Sequence, residues 1–307
     1  METLYITHPA CRLHDMGAWH PEGPERLDAI NDQMVASGLM DFVAHRNAVP
    51  ATEADVLRVH RSEYLDYLRS NVPVTGHFSL DPDTLMDAHT LDAAWAAAGA
   101  GMTAVDAVMR EQGGKAFCAV RPPGHHARPD QAMGFCFFNN VAVATAYALE
   151  KYSLDRIAII DFDVHHGNGT EEMFGFDPRV LMCSFYQYPL FPDQRQYPPP
   201  DNMLNIPVAA GSTGADLRDL VSNTWLPKLR EFAPQLLLIS AGFDGHREDA
   251  MGQLNLVEAD YAWITEQLVV LADETAQGRI VSMLEGGYSL SALGRSVVAH
   301  IKALSKL

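Results

Sequence analysis

The sequence predicts a single-domain α/β protein in which a parallel sheet is covered by helices on both faces. From residue 115 onward, apolar runs of five to seven residues alternate with helical patterns. Continuous apolar runs of this length are typical of parallel strands that are buried on both faces. The 307 residues contain no internal repeat and no low-complexity linker, so we expect one domain over residues 1–307.

The elements follow one another regularly along the chain. In residues 26–39, apolar side chains recur at helical spacing: Leu27, Ile30, Met34 and Val35. The Ala-rich residues 88–111 predict a long helix. The later strands are predicted within KAFCAV (115–120), RIAIIDF (156–162), RVLMCSF (179–185), NMLNIPV (202–208), QLLLISAGFD (235–244) and RIVSMLEGGY (279–288). Helices are predicted between and after them, at 139–152, 170–175, 214–231, 257–275 and 289–305.

Charge and composition exclude several classes of function. The formal net charge is -17 and there is no Lys/Arg-rich run, which argues against binding to nucleic acid or to an anionic membrane surface. The N-terminus lacks the pattern of a secretory signal, and the apolar residues 93–105 are too few to cross a bilayer. The cysteines are dispersed and form no Cys-x-x-Cys pair, so we expect a reduced cytoplasmic protein. They are Cys11, Cys118, Cys136 and Cys183.

Polar segments follow four of the predicted strands. They are Arg121–His126, Asp161–Asn168, Asp244–Asp249 and Gly286–Tyr288. Right-handed crossovers place the carboxyl ends of parallel strands at one edge of the sheet, where ligands of open α/β sheets bind. The sequence therefore predicts an active site at this edge.

Two of these segments could supply metal ligands. Asp161 and Asp163 alternate with Phe162, so both carboxylates point to the same side, and His165 follows two residues later. Together with Asp244, an Asp-x-His pair gives one nitrogen and two oxygen ligands, which leaves a coordination position open as in catalytic metal sites. The alternative is that Asp163 caps the next helix and His165 is exposed.

Two His-His doublets occur, at 125–126 and at 165–166. With 13 histidines about half a doublet is expected by chance, so neither doublet alone indicates a function. Asp161 could orient one histidine of the first pair and Asn168 the other. An imidazole held at one nitrogen keeps the other nitrogen free for a role as general base.

Tyr288 follows two glycines at the end of the last predicted strand. Its hydroxyl could donate to a developing oxyanion, although a structural tyrosine is the commoner case. A metal, a base and an oxyanion donor together predict the hydrolysis of an acyl compound, and of an amide in particular.

These segments together resemble the zinc-dependent histone deacetylase family, which includes bacterial histone deacetylase-like amidohydrolases and acetylpolyamine amidohydrolases. The resemblance begins at HPEGPERLDAI (20–30). It is carried, in order, by RPPGHHA (121–127), GFCFFNN (134–140), DFDVHHGNGT (161–170), AGFDGHRED (241–249) and GGY (286–288). It implies the arginase/deacetylase type of α/β fold.

The resemblance also implies roles for individual residues. One Zn²⁺ per chain would be bound by Asp163, His165 and Asp244. The catalytic residues would be His126 as general base and then acid, His125 as its partner held by Asp161, Asn168 beside them, and Tyr288 at the substrate carbonyl. The acyl-lysine channel would be lined by Gly134, Phe135, Phe191 and Met251.

A monovalent cation, usually K⁺ in this family, is also implied. Its ligands would be Asp161, Asp163, His165, Ser184 and Phe185, mostly through backbone carbonyls. A second and weaker site would lie near Phe174 and Val180. The ligand types leave Zn²⁺ and Fe²⁺ open, and a homo-oligomer is a family-level expectation only.

Two departures from the family pattern bear on the substrate. Asn168 stands where class I members carry Asp, which indicates the class II-like branch. Met251 stands where polyamine-selective members tend to carry an acidic residue, so acyl-lysine is favoured over acetylpolyamine. The alternatives are an acetylpolyamine deacetylase, an arginase-like hydrolase with two manganese ions, and an inactive module that only binds acyl-lysine.

Overall fold

A large parallel sheet forms the centre of the protein. The computed structural model describes residues 2–110, 114–192 and 199–307. The strands of the described residues are β1 (Thr3–Thr7), β2 (Val43–Asn47), β3 (Phe78–Ser79), β4 (Leu85–Met86), β5 (Lys115–Cys118), β6 (Ile157–Asp161), β7 (Val180–Gln187), β8 (Met203–Val208), β9 (Leu236–Ala241) and β10 (Ile280–Leu284). Eight of them form one sheet in the order β2-β1-β5-β10-β9-β6-β7-β8, with parallel neighbours throughout. The short strands β3 and β4 form a separate antiparallel pair.

Helices flank this sheet. They are α1 (Glu25–Ala36), α2 (Glu53–Val56), α3 (Ser62–Ser70), α4 (Thr90–Arg110), α5 (Asn140–Lys151), α6 (Asn168–Phe174), α7 (Gly214–Leu220), α8 (Leu226–Phe232), α9 (Glu258–Thr275) and α10 (Leu290–Ser305). Helix α10 packs against α1 and α9, and α4 packs against α5. The described helices include none with the length and apolar character that a membrane span requires. The predicted fold class is confirmed, while the extent of the domain over residues 1–307 stays a prediction.

The apolar runs lie where the sheet is most deeply covered. Every residue of β6, β9 and β10 is buried. The edge strand β2 buries only its first residue, Val43. Central strands therefore account for the continuous apolar runs in the sequence, because both of their faces contact other elements.

The register of the central strands aligns their carboxyl ends. Asp161, the last residue of β6, pairs with Ser240 of β9 and with Ser184 of β7. The last residues of β9 and β10, Ala241 and Leu284, pair with each other. The segments that follow these strands consequently start at the same level of the sheet.

Several elements differ from the prediction in detail. No strand was predicted at β1 or β2; the sequence of β2 is polar, as suits an edge strand, and β1 was not recognised as a strand although its residues are mostly buried. Of the four apolar residues at helical spacing, Leu27, Ile30 and Met34 are buried on α1, whereas Val35 is 60% exposed. The helix stops at Ala36, and Gly38 follows with a left-handed φ of 70°.

Two predicted helices were close to the observed ones. Helix α4 begins at Thr90, whose hydroxyl bonds Asp87, and it ends at Arg110; Glu111 lies outside the described residues. The predicted helix 214–231 is continuous in space but contains a π-helical turn at Val221–Trp225.

Candidate active site

The side chains predicted to bind a metal lie together at the carboxyl edge of the sheet. Asp163, His165 and Asp244 are buried, and one ligand atom from each lies within 4.8 Å of the others. His165 Nδ1 is 3.0 Å from Asp163 Oδ1 and 3.2 Å from Asp244 Oδ2. Two carboxylates and one imidazole in so small a volume form a group that could hold a metal ion, which would offset the cost of burying the charges.

One atom of this cluster lacks a hydrogen-bond donor. Asp244 Oδ2 is buried and accepts no hydrogen bond from the described residues. An unpaired buried carboxylate oxygen is costly unless a metal ion satisfies it. Oxygen and nitrogen donors at this spacing suit a divalent ion with an open position. The residues present therefore fit a catalytic metal such as zinc.

The alternative assignment for this segment is wrong. The residue at the N-cap of α6 is Gly167, so Asp163 does not cap this helix. His165 is buried rather than exposed, because its side chain faces the two carboxylates. Burial would lower the pKa of His165, but Asp163 and Asp244 outweigh it and raise the pKa to about 10.

Backbone N–H groups hold the carboxylates in position. Asp163 Oδ2 accepts from the Gly286 N–H at 2.9 Å, and Asp244 Oδ1 accepts from the Val164 N–H at 3.0 Å. A Cβ on Gly286 would overlap with Asp244 Oδ2. The loop after β10 therefore needs a glycine here to pass this close to the carboxylates.

The two adjacent histidines have different partners. His125 Nδ1 is 2.9 Å from Asp161 Oδ2, and His126 Nδ1 is 2.9 Å from Asn168 Oδ1. The Asn168 oxygen can only accept, so His126 donates from Nδ1 and its Nε2 keeps a lone pair. Their rings are 4.0 Å apart.

These partners shift the pKa values of the two imidazoles in opposite directions. Burial would lower the pKa of His125, but the carboxylates of Asp161 and Asp163 raise it to about 10. Burial, followed by the charges of His125 and His165, lowers the pKa of His126 well below its usual value. His125 is consequently the charged member of the pair and His126 the neutral one.

Glu285 supports the histidine segment from the last strand. It is completely buried, and its Oε2 accepts from the N–H groups of Gly124 at 2.7 Å and His125 at 3.1 Å. Its Oε1 accepts from the Ser240 hydroxyl at 3.0 Å. The sequence analysis missed this residue, although a carboxylate directly after the apolar run of β10 was a signal for it.

The predicted channel residues lie around the histidines and the tyrosine. The Phe135 ring lies edge-on to Tyr288 at 5.8 Å, and the Phe191 ring lies edge-on to His126 at 5.2 Å. Phe135 is buried, whereas Phe191 is 41% exposed. Gly134 has a φ of 55°, and a Cβ there would overlap with the His126 ring. The structure therefore brings both aromatic rings and Gly134 to the predicted catalytic residues.

Met251 is connected to this group through Asp249. The Met251 side chain is half-buried, and its N–H donates to Asp249 Oδ1 at 3.0 Å. Asp249 Oδ2 accepts from the N–H of Tyr288 at 2.6 Å. Asp249 was noted only as the end of a polar segment, so the sequence analysis missed its contacts.

A buried ion-pair network lies behind the tyrosine. Glu22, Arg26 and Arg121 are fully buried. The Glu22 carboxylate accepts from Arg121 Nη2 at 2.7 Å and from Arg26 Nη1 at 3.0 Å. Charged side chains within HPEGPER and RPPG were a signal for this network, yet the sequence analysis assigned them no role.

Arg26 extends this network to the tyrosine loop. Its guanidinium donates to the carbonyls of Gly287 at 2.7 Å and Glu285 at 2.5 Å. Its Cζ lies 4.9 Å from the centre of the Tyr288 ring. The cation therefore contacts both the backbone of the loop and the face of the aromatic ring.

Three of the residues predicted to bind a monovalent cation lie in neighbouring strands of the sheet, and the other two, Asp163 and His165, follow β6. Asp161 and Ser184 are paired across β6 and β7, and the Ser184 hydroxyl donates to Asn205 Oδ1 at 2.8 Å. Phe185 follows in β7 and is buried. The second site was predicted near Phe174 and Val180, whose carbonyls both accept from Asn202 Nδ2, at 2.8 and 2.9 Å.

The fold and this site define a class: α/β proteins whose buried Asp-His-Asp cluster, at the carboxyl edge of a parallel sheet, can hold a catalytic metal. The profile of the Histone deacetylase domain matches residues 20–304, and the chain belongs to the histone deacetylase family.

Two relatives and one solved structure illustrate this membership. A probable deacetylase of Archaeoglobus fulgidus is 36% identical over 94% of this chain and 82% of its own length. A polyamine deacetylase of Danio rerio is 35% identical over 98% of this chain but only 45% of its own length. The crystal structure of the HDA15 HD domain superposes with a TM-score of 0.92 at 30% identity, covering 99% of this chain and 88% of that one. These similarities support a hydrolase of the deacetylase type.

Proposed function

We propose that the protein is a zinc-dependent hydrolase that removes acetyl or other acyl groups from the side-chain amide of acyl-lysine. The observation that carries this proposal is the buried cluster of Asp163, His165 and Asp244, in which Asp244 Oδ2 accepts no hydrogen bond from the described residues. A site built only for stability would pair this oxygen. The two histidines and the tyrosine around it supply the remaining groups that amide hydrolysis needs.

Zinc held by these three residues would supply the Lewis acidity that makes water a nucleophile at neutral pH. His126 accepts the proton of the attacking water at Nε2, because its Nδ1 is engaged with Asn168. His126 then returns the proton to the leaving amine nitrogen. His125, held by Asp161, carries positive charge beside it. The Tyr288 hydroxyl donates to the oxygen that becomes negative in the transition state.

The channel residues favour a narrow, extended acyl-amine as substrate. The Phe135 ring contacts Tyr288, and the Phe191 ring contacts His126. The net charge of -17 favours a cationic substrate in either case. The apolar side chain of Met251 offers no partner for a second ammonium group, which favours acyl-lysine over acetylpolyamine.

The second candidate is an acetylpolyamine deacetylase with the same chemistry. It is favoured by the similarity to the polyamine deacetylase of Danio rerio, which covers 98% of this chain. The two candidates differ in what lies beyond the scissile amide: a peptide backbone in one and a second ammonium group in the other.

Side-by-side turnover separates these candidates. We expect an acetyl-lysine peptide to have a higher kcat/KM than acetylputrescine or acetylspermidine. Met251→Glu should shift the ratio toward the polyamines by roughly fivefold, because a carboxylate near a second ammonium contributes on the order of 1 kcal/mol. A wild-type preference for the polyamines would replace acyl-lysine by the second candidate.

The same samples test the remaining alternatives. Metal analysis should find one transition ion per chain, and two would support the arginase-like alternative. Tyr288→Phe should lower kcat by roughly 10²–10³ if its hydroxyl stabilises an oxyanion. Acetyl-lysine binding without any effect of this substitution on rate would support the inactive binding module.

The proposal also includes two sites for a monovalent cation. We place K⁺ at the carbonyls around Asp161, Asp163 and His165, with the Ser184 hydroxyl and the Phe185 carbonyl. The weaker site near Phe174 and Val180 also belongs to the proposal; the carbonyls of both residues accept from the Asn202 amide. The cytoplasmic location, the class II-like branch and a homo-oligomer stay predictions.

A further inference from the structure

Asp249 lies between the two loops that carry Met251 and Tyr288. Its side chain is buried, with 6% of the residue exposed. Oδ2 accepts from the N–H groups of Tyr288 at 2.6 Å and Ser289 at 2.9 Å, and Oδ1 accepts from the N–H of Met251 at 3.0 Å. We propose that Asp249 is a positioning residue that fixes the Tyr288 hydroxyl for catalysis, an inference that rests on the proposed function.

The backbone around Tyr288 needs such support. The residues between β10 and α10 form no regular structure, and they include Gly286 and Gly287. Gly287 has a φ of 121°, a conformation that side chains other than glycine rarely adopt. Adjacent glycines give the chain many alternative conformations, so contacts from outside must select one.

Asp249 supplies the contact that the start of α10 lacks. Ser289 is the N-cap residue of α10, and its side chain makes no capping hydrogen bond within the described part of the chain. The free N–H groups at the start of a helix attract a carboxylate, and a hydrogen bond to an ionised oxygen is about twice as strong as a neutral one. The Asp249 carboxylate therefore holds both the backbone of Tyr288 and the N-terminus of α10 in place.

The opposite side of the same loop is held by a cation. Arg26 donates to the carbonyls of Glu285 and Gly287 and lies under the Tyr288 ring. Arg26 thus holds the loop through carbonyl groups, whereas Asp249 holds the N–H of Tyr288 itself. Loss of Asp249 leaves the ring free to pivot about the contacts that remain.

A double-mutant cycle tests this role. Asp249→Ala should lower kcat by roughly 10- to 100-fold with little change in KM, because misplacement of about 1 Å can cost 10²-fold in rate. Asp249→Asn should lose less, since its amide oxygen can still accept from one N–H group. In a Tyr288→Phe background, Asp249→Ala should cause no further loss, because the hydroxyl that it positions is absent.

Glu248→Gln is the matched control. Glu248 is the neighbouring carboxylate, and it pairs on the surface with Arg295. This substitution removes the same charge one residue away and should leave kcat unchanged. An equal loss from Asp249→Ala in both the wild-type and the Tyr288→Phe backgrounds, or an unchanged kcat, overturns the proposal.

A second readout does not depend on turnover. A fluorotyrosine incorporated at position 288 and observed by fluorine NMR should shift or broaden in Asp249→Asn, but not in Glu248→Gln. If the wild-type protein hydrolyses no acyl-amine, the proposed function fails and this resonance alone decides the positioning role. If Asp249→Ala does not fold, Asp249→Asn supplies both readouts. An unchanged resonance in Asp249→Asn overturns the proposal.

Discussion

At the scale of single residues, His125 and His126 differ in charge because a different oxygen atom faces each imidazole. A carboxylate oxygen faces His125 and an amide oxygen faces His126, both at 2.9 Å. The carboxylate favours an imidazolium, and the amide accepts a proton without adding charge. The same residue type therefore yields one cation and one base in adjacent positions.

This difference predicts unequal effects of two alanine substitutions. His126→Ala should lower kcat by roughly 10²–10⁴, the usual contribution of a general base, while the fold remains. His125→Ala should lower kcat less, because it removes charge but no proton acceptor. Steady-state kinetics with circular dichroism checks both variants. His45→Ala changes an exposed histidine on β2 and serves as the control. A larger loss from His125→Ala would reverse the two roles.

The site residues that could be predicted from the sequence lie in short motifs. Asp163, His165 and the histidine pair each sit in a recognisable local pattern. Glu285 was missed because it acts on the backbone of Gly124, 161 residues away. The position of Glu285 directly after an apolar run indicates a carboxylate at the edge of the sheet, but its partner is a distant N–H group that the local sequence does not identify. Asp249 was missed for the same reason.

At the scale of elements, the segment that contains Gly134 and Phe135 determines the wall of the channel. Both residues have left-handed φ angles, of 55° and 68°. The Phe135 N–H donates to the Thr84 hydroxyl at 3.1 Å, which holds the segment to the loop before β4. The left-handed backbone conformation and this hydrogen bond therefore help to position the Phe135 ring.

Gly134→Ala should abolish most activity, because its Cβ would overlap with the His126 ring. It should also cost about 1 kcal/mol of stability through its positive φ. Gly76→Ala is the matched control, since Gly76 has a φ of 73° and open space around it. Kinetics and thermal unfolding measure both effects. Similar losses of activity in the two variants would show that the overlap with His126 is unimportant.

The sheet strands from residue 115 onward were predicted, including the edge strand β8, whereas the interior strand β1 and the edge strand β2 were not. The residues of β6 and β9 are buried on both faces, so their apolar runs stand out in the sequence. Strand β2 is an edge strand, and its residues from His45 onward are exposed. Its conformation depends on pairing with β1 rather than on its own composition. Such strands are determined by tertiary contacts.

At the scale of the whole molecule, one buried carboxylate joins three distant segments. Glu22 binds Arg121, which follows β5, and Arg26, which binds the loop after β10. Burial would raise the pKa of Glu22, but Arg121 and Arg26 outweigh it and lower the pKa to about 2. The network therefore stabilises the fold only while Glu22 is ionised.

The direction of this shift predicts a pH dependence of stability. The pKa of Glu22 is lower in the folded protein than its ordinary value of 4.5, so the ionised carboxylate stabilises the fold at any pH above that value. This stabilisation is lost as the pH falls toward about 2. The free energy of unfolding should fall by about 3 kcal/mol over this range of pH. Glu22→Gln should be less stable at neutral pH by about 3–5 kcal/mol, because both arginines lose their carboxylate.

Urea unfolding from about pH 6 to about pH 3 measures the free energy of unfolding for both proteins. Wild type should lose stability more steeply than Glu22→Gln as the medium becomes acidic. Glu25→Gln, which changes an exposed carboxylate in the same segment, should keep the wild-type slope. Equal slopes for wild type and Glu22→Gln would show that the network does not govern acid stability.

The most direct measurement of the central claim is turnover as a function of metal content. Protein freed of metal by a chelator should be inactive on an acetyl-lysine peptide, and activity should return in proportion to added Zn²⁺ up to one ion per chain. Asp163→Ala should bind no ion at this site and should not recover. Retained turnover in the metal-free protein, or full recovery of Asp163→Ala, would contradict the account.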